Sequence, residues 1–338
     1  MMSSRSKTGY WARELLKSPT PLALYILTAV MLVLSFHPDP YIVTIATDLM
    51  FWITLAISLN IIMGFAGYVS FGHVVFVGLG GYTMAILMEM ALKGLADQNQ
   101  LLAATLGVLA GAGLAAAIAG SIGAIVLRLR GVFFAIATIG LDLTAMYLFI
   151  MLPTAAGGGE IYFSHIPTLT TIALYTWTVF AVSIIVMILV KKSRLGMGLE
   201  AIREDEDAAE SLGVPTARYK TIAYIISGLL AGAMGAVYAW RTLSVTPAEA
   251  FDLIYSIKMI VIIVVGGMGT LLGPVVGGFI YYLLYLYFTT NPALSPIADM
   301  IMGLLAIIII LFLPRGVVGY VRLLKLRIAG RPLHKILE

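Results

Sequence analysis

Residues 101–127 read LLAATLGVLAGAGLAAAIAGSIGAIVL and contain no charged side chain. A helix needs about 20 consecutive apolar residues to cross the hydrocarbon core of a bilayer, so this stretch is long enough to span a membrane. It is rich in glycine and alanine, which let helices approach one another closely inside a membrane bundle. The stretch therefore predicts a transmembrane helix that is packed against other helices.

The composition of the whole chain agrees with that prediction. Of the 338 residues, 61% are hydrophobic and 11% are charged, and the mean hydropathy is +1.01. A soluble domain carries about 25% charged residues, so this chain has too few of them to cover a water-exposed surface. Disorder is excluded because it requires low hydrophobicity. The absence of cysteine rules out a disulfide framework and a cysteine metal site.

Uncharged stretches divide the chain into predicted helices. Residues 259–298 carry no charge, but one helix of that length would be about 60 Å long, against about 30 Å for the hydrocarbon core. The segment GGMGTLLGP (266–274) supplies the break. We expect an all-α polytopic bundle of about ten spans, or eight if the glycine-rich breaks near 64–72 and 266–274 are re-entrant. The predicted spans are 21–36, 41–63, 71–92, 101–127, 132–152, 168–190, 219–240, 250–266, 272–290 and 297–314.

Lys and Arg set the predicted orientation, because the cytoplasmic loops of membrane proteins carry the excess of basic residues. Clusters at 128–130 and 191–194 and the tail at 315–338 are placed in the cytoplasm, together with the N-terminus. The loop at 153–167 has no Lys or Arg and falls outside. The net charge of +4 reflects this pattern and does not indicate binding to nucleic acid.

The predicted organisation has three parts. The N-terminal lead is not expected to be cleaved as a signal peptide, because no cleavage site of the A-x-A type follows the first apolar run. The parts are a cytoplasmic lead (1–20), a transmembrane domain (21–314) that includes a cytoplasmic loop (191–220), and a basic cytoplasmic tail (315–338).

The loop at 191–220 differs abruptly from the rest of the chain. It concentrates acidic side chains and is longer than most helix–helix connections, which favours a function of its own over a solvated connector. Residues 198–212 predict one short amphipathic helix that ends at Gly213 and Pro215. Its expected apolar face consists of Leu199, Ile202, Ala209 and Leu212.

Four segments resemble one known family. They are NIIMGFAGYVSFGHVVFVGLGGYTMAIL (60–87), RLRGVFFAIATIG (128–140), GMGLEAIREDEDAAESLGVPTARYK (196–220) and VIIVVGGMGTLLGPVVGGFI (261–280). In this order they resemble LivM-type permeases, the membrane subunits of ATP-binding-cassette importers for branched-chain amino acids. The resemblance covers roughly residues 60–279.

The resemblance implies a multi-subunit importer in the cell membrane. Its other parts are a second, homologous permease subunit, two cytoplasmic ATPase subunits and an extracytoplasmic substrate-binding protein. It also implies that the loop docks on the ATPase, through Glu200, Ala201, Arg203, Glu204, Asp205 and Gly213. The wider importer signature, EAA and then Gly, is met here only as Glu200-Ala201-Ile202 with Gly213. The sequence contains no G-x-x-x-x-G-K-[ST] motif, so ATP hydrolysis is expected on separate subunits, and no enzyme activity, cofactor or metal is expected here.

A weak internal repeat indicates the translocation path. Residues 63–87 and 264–284 both place a glycine-rich break before a helix rich in small residues, and many transporters have discontinuous helices in corresponding positions near the substrate. The alternative is that these glycines serve only close packing. The path candidates are Ala66, Ser70, Gly72, His73, Asp142, Gly266, Gly267 and Gly269.

Ionisable residues inside predicted spans are functional candidates by default. Asp142 either meets the ammonium group of an amino acid or pairs with a neighbouring helix. His73 is interpreted first as a hydrogen-bonded structural residue, and Lys258 as a side chain that reaches toward the interface. Glu89 and Asp48 are expected near span ends. None of these residues forms a catalytic or metal-binding pattern.

Other classes of protein remain open at the level of the sequence. Permeases of similar type import urea, amides or sugars. An ion-coupled secondary transporter would need more intramembrane carboxylates and would not need the 191–220 loop. A membrane-embedded enzyme would need clustered His, Asp or Glu.

Overall fold

The computed structural model describes residues 19–153, 156–312 and 316–321. Nearly all of the predicted N-terminal lead and most of the basic tail lie outside these ranges. Within them the chain is almost entirely helical, with one short pair of strands. The predicted all-α polytopic bundle is confirmed.

The elements follow the order of the predicted spans, and each predicted span falls on a helix whose ends differ by a few residues. The long helices are α1 (Pro19–Leu34), α2 (Pro40–Leu59, continued by a π-helical turn, Asn60–Gly64), α3 (Val74–Ile86, continued by a π-helical turn, Leu87–Ala91), α5 (Gln100–Val126), α6 (Val132–Met151), α7 (Leu169–Lys192), α10 (Thr216–Thr242), α12 (Leu253–Gly266), α13 (Gly273–Thr290) and α14 (Ala298–Phe312). The short elements are α4 (Lys93–Gln98), β1 (Ile161–Tyr162), α8 (Arg194–Glu204), α9 (Glu206–Ser211), β2 (Ser244–Val245) and α11 (Pro247–Ala250).

Six helices of the described chain are long and apolar enough to cross a membrane. They are Pro40–Gly64, Val74–Ala91, Gln100–Val126, Val132–Met151, Leu169–Lys192 and Thr216–Thr242.

The helices run between two opposite faces of the bundle. We call the end that holds residues 193–215 the loop face and the end that holds the two strands the strand face. At the loop face, the Arg203 guanidinium donates to the carbonyl of Gly64 at the end of α2. At the strand face, β1 pairs antiparallel with β2, with Ile161 opposite Val245. The Glu89 carboxylate, at the end of α3, accepts a hydrogen bond from the backbone N–H of Ser164 near β1.

Helix α10 is the centre of the bundle and approaches two neighbours at van der Waals distance. A Cβ on Gly80 of α3 would overlap the carbonyl of Gly232 in α10, and a Cβ on Gly235 would overlap the backbone of Val77. A Cβ on Gly232 would also overlap Ala115 of α5. The glycine and alanine content of the 101–127 stretch therefore has the packing role that the sequence predicts.

Helices α2 and α6 show opposite degrees of burial. From Leu49 to Gly64 every residue along α2 and its π-helical turn is buried, as expected of a helix that is apolar on all sides. In α6 only Phe134, Thr138 and Asp142 are buried, at four-residue spacing along one stripe. Half of the α6 residues, most of them apolar, are exposed on the outside of the bundle.

Candidate functional site

The first glycine-rich break lies between α2 and α3 and carries His73 into the interior. Gly67 has φ of 79°, a left-handed conformation that glycine adopts without strain. His73 is fully buried, with Nε2 2.9 Å from Ser58 Oγ and 3.4 Å from Ser227 Oγ. Ser227 is about 16 Å along α10 from Thr216, at 1.5 Å per residue, so α3 begins well inside the bundle.

The hydrogen bonds around His73 join four helices, α2, α3, α10 and α12. Ser227 Oγ donates to the carbonyl of Ser58 at 2.6 Å, and the N–H of Val74 donates to Ser256 Oγ of α12 at 3.0 Å. These contacts agree with the structural interpretation of His73. Its Nδ1 has no hydrogen-bond partner within the described part of the chain.

The first break also packs against α6. The N–H of Phe71 donates to Thr138 Oγ1 at 3.1 Å, and a Cβ on Gly72 would overlap the Thr138 carbonyl. Asp142 lies one turn further along α6, is 1% exposed and has no hydrogen-bond partner for Oδ1 among the described residues. Ser70 is also buried without a hydrogen-bond partner for its hydroxyl in this part of the chain. Gly72 is therefore required for close approach. Asp142 is a buried carboxyl group that forms no ion pair with the basic side chains of the described residues.

The second break, between α12 and α13, is held by a side chain from α2. Gly267 and Gly269 have φ of 123° and 76°. Asn60 Oδ1 accepts from the N–H of Gly269 at 3.1 Å, and Asn60 Nδ2 donates to the Thr270 carbonyl at 3.3 Å. A Cβ on Gly266 would overlap Gly273, so the chain doubles back tightly at this point. The predicted break in residues 266–274 is present.

The two breaks meet at the loop face. A Cβ on Gly64 would lie 2.8 Å from the backbone nitrogen of Gly269, and a Cβ on Gly269 would lie 2.6 Å from the Gly64 carbonyl oxygen. The sequence predicted a shared pattern for these two segments but not that they touch.

The loop binds both breaks at this meeting point. Arg203 Nη1 of α8 donates to the Gly64 carbonyl at 2.7 Å. Lys191 Nζ, at the end of α7, donates to the Gly269 carbonyl at 2.9 Å and pairs with Glu200 of α8. We call Lys191, Glu200 and Arg203 the α8 clamp, because they hold α8 against both glycine-rich breaks.

A buried ion pair attaches α9 to the first break. Lys220 is 3% exposed and its Nζ lies 2.7 Å from Glu206 Oε1 of α9. The same ammonium donates to the Leu127 carbonyl at 2.9 Å and to Tyr68 Oη at 2.8 Å, and Tyr68 donates to Glu206. All three donor positions of the ammonium are therefore used, as a buried charge requires.

The predicted single helix at 198–212 is wrong. The chain forms two helices, α8 and α9, and breaks at Asp205, whose φ is −159° and ψ is 112°. The Asp205 carboxylate accepts from the N–H of Ala208 at 2.9 Å, so it acts as the N-cap of α9. Leu199, Ile202 and Ala209 are buried as predicted, but Leu212 is 86% exposed and does not belong to the apolar face.

The other predicted coupling residues are Ala201, Glu204 and Gly213. Glu204 is exposed and Ala201 is half-buried. Gly213 has φ of 84°, and no atom of another residue lies within 4 Å of an added Cβ there, so its role is the left-handed turn after α9.

The remaining ionisable candidates have partners near the strand face. Asp48 pairs with Arg241 and accepts a hydrogen bond from the Tyr282 hydroxyl at 3.1 Å. Lys258 Nζ is 3.1 Å from Asp299 Oδ1 and lies over the ring of Tyr285. In the described residues, no group of three or more His, Asp or Glu side chains is placed to hold a metal ion.

A cavity of about 330 Å³ opens between α3, α10, α11 and α12 toward the strand face. Its volume is within the range of about 300–1,000 Å³ that is usual for small-ligand sites. Two tyrosines, Tyr238 and Tyr255, lie in its wall with their hydroxyl oxygens 3.1 Å apart. Glu249 and Asp252 also line it.

Sequence reasoning missed several of these residues. Lys220 carried a detectable signal, because it is an ionisable residue that begins a predicted apolar span. Asn60, Lys191 and Tyr68 carried none, since a polar residue at a span end is ordinary and only the fold shows what it binds. The wall of the cavity is assembled from two distant segments, 74–81 and 235–255, and had no local pattern.

A helical bundle with two broken helices in contact and an amphipathic loop held across them is the architecture of a membrane transport subunit. The chain belongs to the family described as branched-chain amino acid transport system, permease component, which matches residues 41–311.

Known relatives fall within the same type of protein. The chain is 31% identical over 262 residues to the high-affinity branched-chain amino acid transport system permease protein LivM of Salmonella typhimurium and, equally, to that of Escherichia coli K12. Each alignment covers 68% of this chain and 59% of the relative, so the chain matches little more than half of their length. The permease protein LivH of E. coli K12 is 26% identical over 157 residues, 45% of this chain and 49% of LivH. No solved structure matches the chain.

Proposed function

We propose that this chain is the membrane-spanning permease subunit of an ATP-driven importer for branched-chain or related amino acids. Its proposed partners are a second, homologous permease subunit, two cytoplasmic ATPase subunits, an extracytoplasmic binding protein and the lipid bilayer of the cell membrane. Similarity to both LivM and LivH supports pairing with a homologous permease. ATP hydrolysis is assigned to the separate subunits.

The observation that carries the proposal is the α8 clamp. Arg203 and Lys191 bind the carbonyls of Gly64 and Gly269, which belong to the two breaks. A force that moves α8 therefore reaches the first break through the Arg203 hydrogen bond, and the second break through the Glu200–Lys191 ion pair and the Lys191 hydrogen bond. The loop is accordingly proposed as the docking element for the ATPase, with the exposed Glu204 on its partner-facing side and Asp205 setting the angle between α8 and α9.

Alternating access would act on the path candidates around these breaks. Ser70, Gly72 and His73 lie on the first break, Gly266, Gly267 and Gly269 on the second, and Ala66 lies between Gly64 and Gly67. Asp142 is proposed to meet the substrate ammonium, because its buried Oδ1 has no partner in the described chain. The cavity at the strand face is proposed as the entry from the binding protein.

The chain is proposed to cross the membrane ten times, with both termini in the cytoplasm and the loop face inside. Successive helix ends alternate between the two faces, as the Arg203–Gly64 contact and the Glu89–Ser164 contact indicate. The proposed parts are a cytoplasmic lead (1–20), a permease domain (21–314) with the coupling loop 191–220, and a cytoplasmic tail (315–338).

A sugar is the second candidate substrate. The L-arabinose transport system permease protein AraH of E. coli K12 is 34% identical over 92 residues, which is 27% of either chain. The shorter match makes a sugar the weaker candidate beside an amino acid.

The test is transport in reconstituted vesicles. The chain is combined with a homologous permease, an ATPase and a binding protein from the same organism, and uptake of labelled leucine and arabinose is measured with and without ATP. We expect ATP-dependent leucine uptake. Uptake driven by an ion gradient without ATP would contradict the proposal. Uptake of arabinose without uptake of leucine would show that the substrate is a sugar and not an amino acid.

A matched pair of variants tests the clamp in the same vesicles. Arg203→Gln removes the hydrogen bond to Gly64, and we expect uptake to fall at least tenfold while ATP hydrolysis continues. Lys93→Gln changes an exposed cation at the strand face, away from the loop, and is expected to keep the coupling of hydrolysis to uptake. Equal coupling in the two variants would show that the Arg203 contact does not transmit force.

A further inference from the structure

A second recess lies at the loop face, apart from the glycine-rich breaks. It has a volume of about 690 Å³ and lies between the end of α5, the turn at 128–131, α9 and the start of α10. Four cationic side chains line it, Arg128, Arg130, Arg218 and Lys220, against two carboxylates, Glu206 and Glu210. The recess therefore carries a net positive charge, and we call it the basic crevice.

Among the described residues, only some of the cationic groups of the basic crevice have acidic partners. Lys220 is neutralised by Glu206, and Arg130 pairs with Asp207 at 2.6 Å. The hydrogen bond to Asp207, with the nearby charge of Glu206, raises the pKa of Arg130 and keeps it cationic. Arg128 and Arg218 make no ion pair in the described part of the chain. Two guanidinium groups are thus available for an anion from outside.

The surroundings of the crevice are those of a membrane surface. Ile125, in the last turn of α5, is 71% exposed, and Val132 and Phe133 at the start of α6 are 72% and 71% exposed. Exposed apolar side chains of this size next to a cluster of arginines mark the boundary between hydrocarbon and headgroups. The floor of the crevice is formed by small or apolar residues, including Gly123, Ala124 and Leu127.

We propose that the basic crevice binds the headgroup of an anionic phospholipid, with the phosphodiester between Arg128 and Arg218 and the acyl chains along the exposed apolar surface of α5 and α6. Arginine binds phosphate oxygens through two parallel hydrogen bonds, and basic pockets between transmembrane helices on the cytoplasmic side are suited to such headgroups. The exposed Ile125, Val132 and Phe133 beside the arginines favour a lipid, whose acyl chains would cover them, over a free soluble anion. The clamp residues of α8 take no part in the crevice.

Lipid titration of the purified full-length chain, followed by native mass spectrometry, tests this site. Phosphatidylglycerol and phosphatidylcholine are compared for the unchanged protein and for Arg128→Gln/Arg218→Gln. We expect preferential binding of phosphatidylglycerol, about 30-fold weaker in the double variant, since each basic residue near an anionic surface contributes about a factor of five. Arg128→Lys/Arg218→Lys should restore most of the affinity, which shows that the glutamine variant does not act by misfolding.

The control is Lys93→Gln, an exposed cation at the strand face, which should leave the affinity for phosphatidylglycerol unchanged. The proposal is overturned by equal affinity for the two lipids, or by an unchanged affinity in Arg128→Gln/Arg218→Gln. Full competition by inorganic phosphate would show a free-anion site in place of a lipid site. If Arg128→Gln/Arg218→Gln binds lipid normally but no longer co-purifies with the ATPase, the crevice is a docking site for the ATPase and the lipid proposal is wrong.

Discussion

At the scale of single residues, the contact between Lys220 and Glu206 is the most sensitive point of the loop face. The ammonium is 3% exposed and makes three hydrogen bonds, each to a different element: α9, the end of α5 and the first break. A charge buried in this way is stable only while its partners remain, because desolvation is costly.

Lys220→Met is expected to destabilise the protein, because it removes the buried counter-ion of the Glu206 carboxylate and leaves only the more distant Arg130, 3.5 Å away. Removing one member of a buried pair costs about 3–5 kcal/mol. Thermal unfolding of the purified protein in detergent measures the effect. The double variant Lys220→Met/Glu206→Gln should recover a substantial part of the loss, and a double variant that is no more stable than Lys220→Met would mean that the pair does not act as a unit.

A substitution at Gly267 tests whether transport depends on the backbone conformation of the second break. Its φ of 123° is unfavourable for any residue with a Cβ, and holding one there costs about 1–3 kcal/mol. We expect Gly267→Val to abolish uptake while the complex still assembles. Gly140→Val, at an exposed site of α6 with no atom of another residue within 4 Å of an added Cβ, should transport normally. Normal uptake by Gly267→Val would show that the glycines of the second break serve only close packing and not transport.

At the scale of elements, the approach of α3, α5 and α10 depends on a few small residues. Gly80→Val places a branched side chain where a single Cβ already overlaps the Gly232 backbone, so α3 and α10 must separate. We expect loss of folded protein on gel filtration after detergent extraction. Gly113→Val on α5 is the matched control, because no atom of another residue lies within 4 Å of an added Cβ there. Equal yields of folded protein from the two variants would contradict this account.

The loop shows where prediction of elements failed. Spacing of Leu199, Ile202 and Ala209 correctly indicated a buried face, because burial follows helical periodicity. The break at Asp205 was missed although aspartate is a preferred N-cap, since residues on both sides favour helix and the signal from one residue is weak. The exposure of Leu212 follows from that break, which changes the direction of α9 relative to α8.

At the scale of the whole molecule, the orientation is open to a direct test. The chain has no cysteine, so single cysteines can be introduced at Leu212, which is 86% exposed at the loop face, and at Ile166, which is 70% exposed near β1. An impermeant thiol reagent should label Ile166→Cys from outside intact cells and Leu212→Cys only after the cells are opened. Labelling of both positions from one side would refute the proposed topology.

The sequence predicts the existence and order of the helices well, because apolarity over 20 residues is a local property. It predicts the positions of both breaks for the same reason, since glycine and proline act on their own segment. Contacts such as Asn60 with Gly269, or Arg203 with Gly64, join residues more than a hundred positions apart. No local pattern encodes them, so the sites that connect the loop to the breaks require the fold.

The irregular backbone of residues 67–73 has a consequence for the order in which the chain is built into a membrane. Unpaired peptide groups cannot face lipid and are tolerated only where protein surrounds them. Here the surroundings come from Thr138 of α6, Ser227 of α10 and Ser256 of α12, which leave the ribosome long after residue 73 does. Helix α3 therefore cannot settle at its final depth when it first emerges. It must wait at the translocon or the interface until the later helices arrive.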